Sequence, residues 1–225
     1  MAARTIIFDL DGTLVDTAPD LISSLNVVFA REGLAPVTLN EGRGMIGGGV
    51  RRLIERGLAT QGRTLTPAAV DALFADYITH YAEHIADASR PFPGVEAALD
   101  LLAAGGNRLA VCTNKLAWLS VRLLDQLGLS QRFLAICGRD TFGVEKPDPE
   151  MLRRTILAAG GDIADAIMVG DSATDIATAR AAGVAVVAVD FGYTDVPVAE
   201  LGPDRIISHF EALAGAIGDL RRLPG

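Results

Sequence analysis

Short apolar runs alternate along the chain with stretches in which apolar residues recur every three or four positions. The runs Arg4 to Phe8, Arg108 to Cys112, Leu134 to Cys137, Ile167 to Val169, Val184 to Val189 and Arg205 to Ile207 are continuous rather than alternating and rich in branched side chains. Such runs predict strands of a parallel sheet buried on both faces, and the periodic stretches between them predict the covering helices. The pattern is that of a doubly wound α/β fold, whose ligands bind beyond the carboxyl ends of the strands. Between Thr17 and Ala88 the alternation stops. There Leu21, Ile22, Leu25, Val28 and Phe29, and later Val70, Leu73, Phe74, Tyr77, Ile78 and Tyr81, form stripes at helical spacing, which predicts an all-helical insert. Thr66-Pro67 supplies a helix start, and Arg90-Pro91-Phe92-Pro93-Gly94 an extended return to the sheet.

Composition narrows the partners. Half of the 225 residues are hydrophobic, enough for a substantial core, and the net charge of -8 disfavours nucleic acid and anionic membrane as partners. No apolar segment has the length of a membrane span, and the N-terminus lacks the pattern of a signal peptide, so the expected location is cytoplasmic. Cys112 and Cys137 each close an apolar run and are expected as reduced thiols. The sequence leaves monomer and homodimer equally open.

The residues just beyond each predicted strand carry the chemistry. The first is followed by Asp9, Asp11 and Gly12, the second by Thr113-Asn114-Lys115, and Ile167 to Val169 by Gly170-Asp171-Ser172-Ala173-Thr174-Asp175, while Lys146-Pro147 opens a helix between. Two carboxylates at the end of a buried strand are costly to desolvate and repel each other, so something must offset that cost, a metal ion or a phosphate-binding backbone being the usual candidates. Four carboxylates, a hydroxyl and a lysine at one sheet edge suit phosphoryl transfer with Mg²⁺. Of the 20 basic residues 18 are arginine, and the two lysines, Lys115 and Lys146, both fall in these segments, where a compact ammonium is wanted.

Asp9-Leu10-Asp11-Gly12-Thr13-Leu14-Val15-Asp16, Thr113-Asn114-Lys115, Lys146-Pro147 and Gly170-Asp171-Ser172-x-x-Asp175, in this order, resemble the four motifs of the haloacid dehalogenase superfamily, and within it the phosphoglycolate phosphatase branch. The resemblance implies a Rossmann-like core over residues 1–16 and 89–225 with a helical cap domain over 17–88. It implies Asp9 as nucleophile and Asp11 as general acid and base, the latter needing a raised pKa. It implies Mg²⁺ on Asp9, Asp171 and the backbone carbonyl of Asp11, with Asp175 and Ser172 behind the metal site. Lys146 would compensate Asp9. Gly12, Thr113, Asn114, Lys115 and, from the insert, Gly48 would contact phosphate or substrate, a small phosphorylated metabolite.

Asp11 argues against dehalogenation, which needs no acid two residues after the nucleophile, and the lysine-free insert argues against phosphonate cleavage through a Schiff base. A sugar phosphomutase of the β-phosphoglucomutase type and a catalytically silent binding protein stay open. Arg43, Arg51 and Arg52 are candidate partners for a substrate carboxylate. Gly42-x-Gly44-x-x-Gly47 follows no buried strand and is not expected to bind a dinucleotide, and His80 and His84, on one helix face, are expected to be a packed or solvated pair rather than zinc ligands.

Overall fold

The computed structural model describes residues 3–194 and 196–220. Its strands are β1 (Thr5–Phe8), β2 (Val15–Asp16), β3 (Arg90–Pro91), β4 (Arg108–Cys112), β5 (Ala135–Cys137), β6 (Ala166–Gly170), β7 (Ala185–Val189) and β8 (Arg205–Ile207), and its helices are α1 (Ala18–Arg31), α2 (Leu39–Arg43), α3 (Val50–Thr60), α4 (Pro67–Glu83), α5 (Val95–Ala104), α6 (Ala117–Gln126), α7 (Pro149–Ala158), α8 (Ala173–Ala182) and α9 (Leu213–Gly218). Six parallel strands form the sheet in the order β5-β4-β1-β6-β7-β8, with β1 in its interior. All six predicted runs are strands of this sheet.

Burial on both faces explains the unbroken apolar runs. Ile6 and Phe8 of β1, with Leu109, Val111, Ile167 and Val169, enter one core, while Ile7, Cys112, Met168, Val186 and Ala188 enter the other. The first core continues through Leu21, Leu25 and Tyr77 into the insert, so core and insert share one apolar body. Cys112 and Cys137 face each other in register as buried free thiols. No helix among the described residues is long and apolar enough to cross a membrane.

The insert begins and ends at a two-stranded antiparallel ribbon, β2 against β3, with Asp16 opposite Arg90. Two-residue strands have no periodicity of their own, and the sequence showed here only an extended return. Thr66 caps α4 as expected, accepting from Ala69 N–H, with Pro67 in the first turn. Beside the ribbon, buried Asp20 accepts hydrogen bonds from the Ser89 N–H at 2.7 Å, the Ser89 hydroxyl at 2.6 Å and the Ala88 N–H at 3.0 Å. These donors fasten the returning chain to α1. Asp20→Ala strands them, and denaturant unfolding is expected to show a loss of about 2–3 kcal/mol.

Candidate active site

Register gathers the site. Phe8 lies level with Val111 on one side and Val169 on the other, so β1, β4 and β6 end together. The Asp9 N–H donates to the Val169 carbonyl at 2.9 Å, extending the ladder by one residue before the chain turns. Asp9 Oδ1 accepts from the Leu10 N–H at 2.7 Å and from Lys146 Nζ at 3.0 Å. Lys146, 3% exposed, also donates to Asp175 Oδ1 at 2.6 Å. The other Asp175 oxygen accepts from the Ser172 hydroxyl at 2.6 Å and its N–H at 3.1 Å, closing the capping box that starts α8.

Asp171 is fixed from two directions. Its Oδ1 accepts from the Thr13 hydroxyl at 2.8 Å and its Oδ2 from the Tyr193 N–H at 2.7 Å. A β-carbon on Gly12 would lie 2.4 Å from Asp171 Oδ2, and its φ of +84° suits glycine alone. The Gly12 N–H is committed to the Val15 carbonyl at 3.0 Å, which corrects the expectation of a phosphate contact there: Gly12 makes room for Asp171.

Burial raises the Asp9 carboxyl to about 7 despite Lys146, and raises Asp171 to about 8, helped by the charges of Asp175 and Asp9. Lys146 is held above the ordinary lysine value, since the attraction of Asp175 and Asp9 outweighs the burial that would lower it. Oxygens of Asp9, Asp171 and Asp175 lie within 4.8 Å of one another, an all-oxygen donor set that fits a hard divalent cation. Asp175 already has a cation, the Lys146 ammonium, on one oxygen and Ser172 on the other, whereas Asp171 meets only neutral donors and Asp9 keeps one oxygen open; Asp9 and Asp171 are therefore the carboxylates that still call for an ion, with Asp175 as their brace.

The side chains of the second segment meet other residues of the site. Asn114 donates its amide to the Lys146 carbonyl at 3.0 Å and accepts the Lys146 N–H at 2.9 Å, so both polar ends position Lys146 rather than face a phosphate. Lys115 lines the cavity with its ammonium held by neighbouring side chains. Its Nζ meets Asp11 Oδ1 at 3.0 Å and Oδ2 at 3.2 Å, and the phenol oxygen of Tyr81 on α4 at 2.8 Å. Thr113 lines the cavity, its hydroxyl accepting from the Lys115 N–H.

The cavity has a volume of about 160 Å³. Asp9, Asp11, Thr113 and Lys115 form its floor, while Ile46, Val50, Leu53, Phe74 and Ile78 make the insert's wall apolar. Gly47 and Gly49 border it, whereas Gly48, beside the Arg52 side chain, and Arg52 itself are not among the residues that line it. Arg43 pairs with Asp16 at 2.8 Å outside the cavity, and Arg51, on its rim, pairs with Asp71. His80 meets Ser24 at 3.0 Å and stacks on His84, which is exposed and pairs with Asp87. Gly42 lies inside α2, where no dinucleotide turn exists.

The family described as haloacid dehalogenase-like hydrolase matches residues 6–189. The chain belongs to that family. Among relatives of this hydrolase, phosphoglycolate phosphatase of Mesorhizobium japonicum is 51% identical, the alignment covering 95% of this chain and 94% of the relative, and that of Agrobacterium fabrum is 50% identical over 94% and 91%. A predicted phosphoglycolate phosphatase from Haemophilus somnus, a solved structure, superposes with a TM-score of 0.88 at 30% identity, covering 95% of this chain and 97% of that one.

Several residues of this haloacid dehalogenase-like hydrolase that shape the site carried no signal in the sequence. Tyr193 gives its N–H to Asp171, and its phenol accepts from the Ala18 N–H at 2.9 Å and donates to Asp16, joining the acidic cluster to the start of the insert. Arg139 reaches the cavity beneath Gly49 and pairs with Glu145 at 2.6 Å. Tyr81 was read as one position of an apolar stripe. Its hydroxyl could have been noticed there, since a buried phenol requires a partner.

Proposed function

We propose that this hydrolase releases phosphate from a small phosphate monoester, 2-phosphoglycolate, through an aspartyl phosphate on Asp9. The observation that carries the reading is the placement of two carboxyl groups at one cavity floor in different roles: Asp9 clamped at one oxygen by Lys146 and Leu10, Asp11 held by Lys115. With Oδ1 so held, Asp9 Oδ2 is the oxygen left to attack phosphorus. The P–O ester bond breaks, Asp11 gives its proton to the departing alkoxide oxygen, and the phosphoryl group rests on Asp9. Asp11 then takes a proton from water, whose oxygen attacks phosphorus, and orthophosphate leaves as the Asp9–phosphorus bond breaks. Thr113 and Lys146 hold the phosphoryl oxygens, and Asn114 holds Lys146. Asp9, Asp171 and the Asp11 carbonyl would hold Mg²⁺, which supplies positive charge between two approaching anions. Residues 17–88 act as a cap over the core formed by 1–16 and 89–225, shielding the aspartyl phosphate from bulk water.

The names of the relatives support 2-phosphoglycolate, and so does the cavity, whose apolar wall offers the hydroxyls of a hexose few partners. A silent binding protein has no physical reason to crowd three acids together with one lysine between two of them. The test is phosphate release from 2-phosphoglycolate, glucose 1-phosphate and p-nitrophenyl phosphate, with Mg²⁺ or with chelator. Expected is release that chelator abolishes, with kcat/KM for 2-phosphoglycolate at least about 100-fold above the hexose ester, a ratio within reach of a site that pairs a substrate charge. Preference for the hexose ester, or release unaffected by chelator, refutes the proposal.

A further inference from the structure

Three cationic side chains line the cavity: Lys115, Arg51 and Arg139. Arg51 and Arg139 have side chains 43% and 34% exposed and point their charge at Asp71 and Glu145. Lys115 is 4% exposed, stands on the floor, and spends its ammonium on both oxygens of Asp11 and on the Tyr81 phenol. An ammonium has three protons to give, so all of its capacity is in use. That arrangement is an obstacle to the reaction proposed above. Asp11 must reach the ester oxygen with an oxygen that Lys115 now occupies.

In an ester of glycolate the carboxyl carbon is two bonds from the ester oxygen. A substrate placed with that oxygen at Asp11 therefore brings its own carboxylate beside the Asp11 carboxylate, where two anions repel unless a cation stands between them. Lys115 is already there. Tyr81 completes the surroundings, because its oxygen accepts from Lys115 and its own proton remains to be donated into the cavity that it lines. The rest of the insert's wall is apolar apart from Arg51, whose charge is paired with Asp71, so a carboxylate has no comparable place to go.

We propose that Lys115 and Tyr81 form the subsite for a carboxylate on the carbon next to the ester carbon, and that filling it draws the Lys115 protons off Asp11, freeing an Asp11 oxygen for the ester oxygen. This rests on the phosphatase reading and extends it: the substrate's second anion is a specificity element because it releases the acid. An ester of the same size without that anion binds with Asp11 still occupied and turns over slowly.

The experiment compares 2-phosphoglycolate with 2-hydroxyethyl phosphate, which has the same number of carbons and no carboxylate, in wild type, Lys115→Met and Tyr81→Phe. The ratio of kcat/KM on the carboxylate ester to that on the neutral one is expected to fall about 100-fold or more in Lys115→Met and roughly 10-fold in Tyr81→Phe. A second measurement needs no variant to fold. Formate added to wild type hydrolysing methyl phosphate supplies the anion as a separate piece and is expected to raise kcat, with no such effect in Lys115→Met. Equal losses on both esters, a preference for 2-phosphoglycolate retained by Lys115→Met, or formate that only inhibits wild type overturns the subsite while leaving the phosphatase standing. Wild type that releases phosphate from neither ester overturns the phosphatase reading itself.

Discussion

Asp9→Asn is expected to abolish phosphate release, by about 10⁴-fold or more, and to make the metal-free protein more stable at neutral pH. The first effect follows from losing the attacking oxygen. The second follows from linkage. In the unfolded chain Asp9 titrates at the ordinary aspartate value of 3.8, whereas in the folded protein burial holds it at about 7. Between these values the folded state keeps a proton that the unfolded chain has released, so folding stability falls as pH rises through that window and stays reduced above it. Asparagine carries no such proton. Its Oδ1 can still accept from Leu10 and Lys146, and removal of the charge also relieves Asp171, which stands at about 8 partly because of Asp9. The advantage of the variant should therefore be small near pH 4, grow to pH 7 and level off beyond it, reaching on the order of 2–4 kcal/mol. Thermal melts in chelator from pH 4.5 to 8.5 measure it, and saturating Mg²⁺ should narrow the gap. An advantage independent of pH would show that the destabilisation does not come from this carboxylate.

Lys146→Met works in the opposite direction and should be among the most damaging substitutions in the core. The ammonium is the ion-pair partner of Asp9 at 3.0 Å and of Asp175 at 2.6 Å, and the Asp175 side chain is wholly buried. Removing it leaves two carboxylates without a cation in the interior, at a cost of about 3–5 kcal/mol. Urea unfolding should show this penalty in full at pH 8 and much less at pH 5. The reason is that Asp9, raised to about 7 even with the lysine present, becomes neutral more readily once the lysine is gone. The lysine contributes nothing to the pH dependence in this range: its folded value lies above the ordinary 10.5, so its stabilisation persists through neutral pH and is lost only in strong base. Phosphate release should vanish in the same variant. A penalty below about 1 kcal/mol, or one equal at the two pH values, would mean that other groups carry the compensation.

The sheet could be read from the sequence because each strand is buried on both faces and so is written as one unbroken apolar run; Ile6, Ile7 and Phe8 occupy opposite cores yet are all apolar. The insert could be read because its helices bury one stripe each. What could not be read lies where few residues carry the structure. β2 and β3 contribute two residues apiece, too few for any period. At the site, the acids and the two lysines could be located from their position after the strands, but not their pairing. Lys146 serves Asp9 and Asp175 because the start of α8 stands beside the end of β1, whereas Lys115 serves Asp11 and Tyr81, residues 104 and 34 positions away. Asn114 belongs among the expected positions and yet holds a lysine backbone rather than a substrate. Tyr193 left no trace because its contact to Asp171 is made by a main-chain N–H, which every residue but proline possesses.

The β2–β3 ribbon bears on how the chain finds this fold. Thr5 must pair with Arg108 and with Ala166, so the interior strand of the sheet waits for partners made much later in the sequence. Closing so long a loop costs entropy that grows with the number of free residues. Pairing Asp16 with Arg90 brings the two ends of the insert to adjacent-strand distance, and its helices, formed from local contacts, remove those residues from the free loop. Once the ribbon has formed, β1 and β4 search for each other as if joined by a short tether. The order of events that this favours is insert first, ribbon next and sheet last, and it makes the smallest sheet in the protein the one that shortens the path to the largest.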